Sequence, residues 1–340
     1  RRSIRFAWSG DTVGQGWGID ESRGGMKAYA TMAKHEPDFF LHSGDTIYAD
    51  GPLKESVELP DGSVWKNLLI PEKEKVAETL DEYRGQWKYN LMDKNVQAMN
   101  ARVPTFFQWD DHEVINNWSS AKDLTADDRY AVKDIALLAA RSARAFHEMT
   151  PIGYVAEEPG RVYRKIAYGP LLDVFFLDLR SYRGGNTEGL ESEASEATQM
   201  MGAEQIAWLK RELADLLRFI KSAGIANTVW LTADVHYTAA HHYSPDRAAF
   251  QDFEPFWEFV SGPIHAGTFG PNDLDKTFGP EVRFVKAPTE EQGANLPPSM
   301  GLQFFGLVEI DGDSEQMTVR LMDADDTELW TTTLDPVRRG

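Results

Sequence analysis

The chain contains no cysteine. That excludes disulfides, thiolate metal ligands and cysteine nucleophiles. It also lacks any apolar run long enough to span a membrane. Positive charge is scarce: 35 Lys and Arg stand against 54 Asp and Glu, for a formal charge of −19. Such a surface repels nucleic acid and anionic membranes, so no nucleic-acid partner is expected. It would repel a phosphate group too, unless bound cations reversed the field locally. The glycine-rich GDTVGQGWG at 10–18 is not followed by a helix pattern, which removes the dinucleotide-binding reading. Repeats, low-complexity tracts and clean linkers are all missing.

In their place the chain offers oxygen and imidazole at the ends of apolar runs. In PDFFLHSGDTIYAD, residues 37–50, Phe39-Phe40-Leu41 runs into Gly44-Asp45, with Tyr48 three residues on. A short apolar run stopping at Gly-Asp reads as a buried strand that delivers a carboxylate to a sheet end. Ligand sites of open α/β sheets form at such ends. SIRFAWS, 3–9, leads in the same way to Asp11. VPTFFQW, 103–109, leads to Asp110-Asp111-His112-Glu113 and then Asn116-Asn117. NTVWLTADVH, 227–236, carries Asp234 and His236. Four of the eight histidines, at 112, 236, 241 and 242, lie at or just beyond these strand ends. Oxygen and imidazole from successive strand ends suit hard or borderline metal ions. Asp45 is the natural bridging ligand, because Gly44 lets the backbone come close.

Around these ends, 24–35, 72–101, 128–148 and 202–222 read as helices. The last has Ile206, Leu209, Leu213, Leu216, Leu217 and Ile220 on one stripe. Segments 51–71 and 184–201 read as loops. Residues 161–183 read as two strands joined at Gly169-Pro170, and 257–334 reads as mostly β. With 340 residues, 42% of them hydrophobic, one large domain over 1–340 is the economical expectation.

The order D-x-x-G, G-D-x-x-Y, W-D-D-H-E-x-x-N-N and A-D-V-H resembles the PhoD-like alkaline phosphatases of the calcineurin-like metallophosphoesterase superfamily. The matching residues are Gly44, Asp45 and Tyr48, Trp109 to Glu113 with Asn116 and Asn117, and Asp234 with His236. LDLRSYR at 177–183 and the Gln-x-x-Trp-Leu of 205–209 match as well. The resemblance implies an α/β fold: a four-layer α/β/β/α sandwich of two mixed sheets flanked by helices. It implies hydrolysis of phosphomonoesters, with diesters as a further substrate, and periplasmic or secreted placement. The N-terminal β-sandwich of many relatives has no counterpart in this sequence.

The resemblance also implies two or more metal ions, iron with calcium. Many relatives place a cysteine ligand after the first strand. Here that stretch is Ser9-Gly10-Asp11. With Asp11 in that place, zinc, manganese and magnesium are open beside Fe3+ and Ca2+. The expected metal ligands are Asp11, Asp45, Tyr48, Asp111, Asn116, Asp234 and His236. His112 is expected to protonate the leaving oxygen or steady the developing charge, with Asn117 on a metal or a phosphate oxygen and Arg180 holding the phosphate as a fork. His42 and His265 read as structural, and His241-His242 as a loop pair that is either solvated or part of the site. A phosphodiesterase or phospholipase D-like enzyme on the same residues is the alternative, as is a metal- or phosphate-binding protein without turnover. The sequence does not indicate an oligomeric state.

Overall fold

The computed structural model describes residues 1–187, 195–213, 220–221, 224 and 226–337. Two mixed sheets dominate. The strands of the first are β1 (Ile4–Ser9), β2 (Phe39–Ser43), β5 (Thr105–Gln108), β12 (Phe304–Ile310), β13 (Met317–Asp323) and β14 (Glu328–Leu334), in the order β14-β13-β12-β1-β2-β5. Strands β1, β2 and β5 run parallel, and β12 to β14 add an antiparallel meander on the far side of β1. The second sheet has the order β11-β9-β10-β8, from β8 (Val229–Thr232), β9 (Thr238–Tyr243), β10 (Phe256–Val260) and β11 (Pro280–Lys286). Two hairpins stand apart, β3 (Ser56–Glu58) with β4 (Val64–Lys66) and β6 (Arg164–Ala167) with β7 (Asp173–Phe176).

The parallel strands read as unbroken apolar runs because both of their faces are covered. Phe6, Trp8, Phe39 and Leu41 point to the second sheet and meet Ala240 and Phe259 in the central core. Ala7 and Phe40, one position out of phase, point the other way into a cluster with Tyr29, Met32, Val96 and Met99. Those four come from α1 (Lys27–Lys34) and α3 (Lys94–Asn100). A neighbouring cluster joins α2 (Leu80–Asn90) and α4 (Ile135–Met149) through Tyr83, Trp87, Leu138 and Phe146 around Trp109 and Trp118. On the β6–β7 side, Trp208 of α5 (Gly202–Leu213) packs with Tyr163. This is the two-sheet, helix-flanked architecture that the resemblance implies.

Several local expectations need correction. The helix over 72–101 is divided into a 3-10 turn at Pro71–Lys73, α2 and α3. The breaks are capping residues: Thr79 and Glu82 form a capping box, and the Asp93 carboxylate accepts from Asn95 N and Val96 N. The helix over 128–148 starts only at Ile135, behind the capping carboxylate of Asp134. The 51–71 loop contains the β3–β4 hairpin. His241 and His242 lie not on a loop but on β9. His241 is buried and bonded to Glu258 at 3.1 Å, and His242 packs against Trp257. Leu216 and Leu217 of the expected stripe lie outside the described residues, as do 188–194 of the expected 184–201 loop.

Candidate metal centre

The carboxyl ends of β1, β2 and β5 meet the end of β8 at one edge of the sandwich. Backbone bonds tie the connecting loops together: Thr12 N donates to Asp45 O at 2.8 Å, Ile264 N to Gly10 O at 2.8 Å and His265 N to Asp11 O at 3.1 Å. At Gly44, φ is 106°, and a Cβ there would lie 2.6 Å from Asp110 Cβ. Only glycine lets the β2 loop approach the β5 loop this closely.

Five of the expected site residues hold left-handed backbone: Asp11 (φ 67°), Asp45 (50°), Asn117 (54°), Asp234 (72°) and His236 (59°). Residues other than glycine rarely adopt that conformation, and such positions cluster at functional sites.

The acidic groups gather tightly. Single oxygens of Asp45, Asp110, Asp111 and Asp234 all lie within 4.8 Å of one another, and Asp45, Asp111 and His112 form a second such group. Asp11, fully buried, places Oδ1 3.5 Å from His236 Nε2. The Tyr48 hydroxyl sits 2.9 Å from the same nitrogen, and the Tyr48 ring stacks on His112 at 4.2 Å. His236 Nδ1 donates to Gly267 O, which leaves Nε2 as the lone-pair nitrogen facing Asp11 and Tyr48.

Both carboxylate oxygens of Asp11, Oδ2 of Asp45 and Oδ1 of Asp111 are buried without a hydrogen-bond partner. Burial, then the charges of Asp234 and Asp110, push the Asp11 carboxyl well above its ordinary range. Burial, then Asp111 and Asp110, do the same to Asp45. Burial lowers His236 to about 4 and keeps it neutral, as a ligand must be. Orphaned carboxylate oxygens pressed together beside a neutral imidazole fit cations, which would supply their missing partners.

The remaining expected residues surround this cluster. His112 Nδ1 bonds Asp50 Oδ1 at 2.7 Å, and its backbone N donates to Asp45 Oδ1 at 3.0 Å. Burial alone would lower His112, but Asp50 outweighs it and raises the imidazole to about 9. Arg180 is in the cluster, but its fork is engaged by Asp110, with Asp111 at 3.8 Å and Asp234 at 3.7 Å. Asn116 and Asn117 are exposed and act here through backbone: Asn116 N donates to Asp50 Oδ2 at 2.9 Å and Asn117 N to Asp111. His42 and His265 are buried among structural bonds. His42 joins Thr12 and Thr46, the neighbours of Asp11 and Asp45, at 2.8 and 3.1 Å.

Sequence reasoning gave no role to Asp50, Asp110 or Glu113. Asp50 lies two residues beyond Tyr48, and the other two flank the Asp111-His112 pair, so proximity was the available signal. Glu113 is fully buried, and its carboxylate accepts four backbone N–H groups. No helix among the described residues is long and apolar enough to cross a membrane.

Comparison with known proteins identifies a family. The family model described as PhoD-like phosphatase matches residues 6–215 and 212–321. Alkaline phosphatase D of Bacillus subtilis (strain 168) is 28% identical over 301 residues, covering 73% of this chain and 49% of that protein. The chain therefore spans about half the length of that curated relative. A solved structure described as the structure of PhoD superposes with a TM-score of 0.69 at 22% identity, covering 98% of this chain and 69% of that one. The chain shares the fold of that structure, and the family model runs through all four of the motifs that carry the strand-end carboxylates. The chain belongs to the PhoD-like phosphatase family.

Proposed function

We propose that this chain is a metal-dependent phosphoric ester hydrolase acting on phosphomonoesters. The observation that carries the reading is the set of buried, partnerless carboxylate oxygens of Asp11, Asp45 and Asp111 beside the paired His112 and Asp50. The ligands fall into two groups. Asp11, Tyr48 and His236 would hold one ion, and Asp111 and Asp234 with Asn116 a second, with Asp45 available to either group. Every donor is oxygen or nitrogen, so hard and borderline ions suit both groups, iron, calcium, zinc, manganese and magnesium among them. Bound metal would neutralise charge on the phosphoryl group and lower the pKa of an attacking water.

The chain's own residues do the rest. Asp50 fixes the His112 ring and stabilises its charged form, so that His112 can give a proton to the departing alkoxide. Arg180 neutralises Asp110 and adds positive charge beside Asp111 and Asp234, where the phosphate would dock. Asn117 holds Asp111 by its amide and offers its side chain to a phosphate oxygen.

The test is Asp45→Asn, assayed on 4-nitrophenyl phosphate and on bis(4-nitrophenyl) phosphate. The expected result is a loss on the order of a hundredfold or more on both, with the unmodified protein preferring the monoester. An Asp45→Asn variant with full activity would overturn the reading. Elemental analysis of protein purified without chelators is expected to give two or more metal equivalents.

A further inference from the structure

Glu113 has a geometry that neither ligand binding nor proton transfer explains. Its Oε1 accepts from Thr46 N at 2.6 Å and Ile47 N at 3.4 Å, and its Oε2 from Asp110 N at 2.7 Å and Asp45 N at 3.1 Å. Three of these amides follow β2 and the fourth follows β5. Two of them belong to carboxylate residues of the metal cluster itself. The backbone of Glu113 is anchored from the other side, where Ser142 Oγ of α4 donates to its carbonyl.

A buried anion next to an acidic cluster is electrostatically unfavourable. A neutral acceptor would avoid that repulsion. A glutamine, however, has one acceptor oxygen, and its NH2 group would face two backbone donors. Only a carboxylate can accept from both loops at once on both of its oxygens. We infer that Glu113 is a positioning residue: it fixes the separation of Asp45 from Asp110 and Asp111, so that the affinity for metal depends on it as well as the stability of the fold. The inference rests on the metal-binding role proposed above.

The experiment is calorimetric titration of the chelator-stripped full chain with Mn2+, alongside thermal melts. It compares the unmodified protein with Glu113→Gln, Glu113→Asp and Ser142→Ala. Glu113→Gln is expected to weaken Mn2+ binding by about ten- to a hundredfold. Ser142→Ala removes the anchor but keeps the cradle, and is expected to lower the melting temperature with Mn2+ affinity unchanged. A folded Glu113→Gln protein binding Mn2+ within about twofold of the unmodified chain would overturn the inference, whatever its melting temperature. If Glu113→Gln does not fold, Glu113→Asp decides: it keeps both acceptor oxygens but withdraws them by one methylene. Weakened Mn2+ binding in folded Glu113→Asp supports the inference, and unchanged binding overturns it. An unmodified protein that takes up neither Mn2+ nor Fe3+, Ca2+, Zn2+ or Mg2+ would overturn the proposed function, and this inference with it; if another of these ions binds in place of Mn2+, the same titrations are run with that ion.

Discussion

The Tyr48 hydroxyl lies 2.9 Å from His236 Nε2, across 188 positions of sequence. The ring between them has little freedom. It stacks on His112 on one side. On the other, a Cβ at Gly14 would fall 2.5 Å from the ring carbon Cζ. Tyr48→Phe should therefore keep its place in the fold and lose only the oxygen. The expected outcome is a near-native melting temperature with metal affinity reduced by about tenfold or more. Gly14→Ala should weaken metal binding as well, by displacing the Tyr48 ring while every other ligand stays in place. Metal titration of both variants checks this.

Asp45→Asn should separate stability from function. The Asp45 carboxyl is raised by burial first, then by Asp111, Asp110, Glu113 and Asp11. The folded chain thus holds this proton to higher pH than the unfolded chain does, so metal-free stability falls as pH rises above the ordinary carboxylate range. The asparagine removes that loss. At neutral pH and without metal, the variant is expected to be more stable than the unmodified protein by about 1–2 kcal/mol. Saturating metal should reverse the order. Chemical denaturation with and without chelator checks both halves.

The pair of Asp50 and His112 gives a kinetic prediction. Asp50 opposes the effect of burial and holds His112 at about 9, so the imidazole stays protonated through neutral pH. Asp50→Asn should lower kcat on the order of a hundredfold for esters with poor leaving groups and much less for 4-nitrophenyl esters. The alkaline limb of the pH profile should move to lower pH. Equal losses on both ester types would argue against proton donation by His112.

Away from the site, Lys73 is fully buried, bonded to Gln86 Oε1 at 2.6 Å and set over the Tyr89 ring at 5.4 Å. Burial lowers its amine from 10.5 to about 7, with Asp50 opposing the shift. Between those two values the unfolded chain binds the extra proton, so stability rises with pH. The slope from this one group approaches about 1.4 kcal/mol per pH unit. Lys73→Met should flatten the profile between pH 7 and 10.5 and raise stability at neutral pH. Denaturation midpoints across that range check it.

The strand ends were legible because burial on both faces leaves an unmistakable apolar run, and each run stops at a carboxylate. The His112 motif and Tyr48 were legible for the same reason. Glu113 and Asp110 were not, because their partners are backbone amides and an arginine 70 positions away, which side-chain spacing does not reveal. Strand β11 falls in the stretch read as mostly β, but it is an edge strand with most side chains exposed, so its own apolar signal is weak. Strand β9 was missed because the small Ala239 and Ala240 at its buried centre, one on each face, carry little apolar signal. The over-long helices show the opposite error, in which helical periodicity outweighed the N-capping residues Thr79, Asp93 and Asp134 that begin the separate helices.

The left-handed backbone at Asp11, Asp45, Asn117, Asp234 and His236 bears on how this site can drift over evolutionary time. An alanine at any of these positions costs about 1–2 kcal/mol in backbone energy before any ligand is lost. The residues that best tolerate the conformation are glycine, asparagine, aspartate and histidine. Three of those four can bind metal. Neutral drift at these positions therefore tends to exchange one donor for another before it removes a donor altogether. For the metal site proposed here, the property left most open to change is which ion is preferred, while the capacity to hold one is protected by the chain's own geometry.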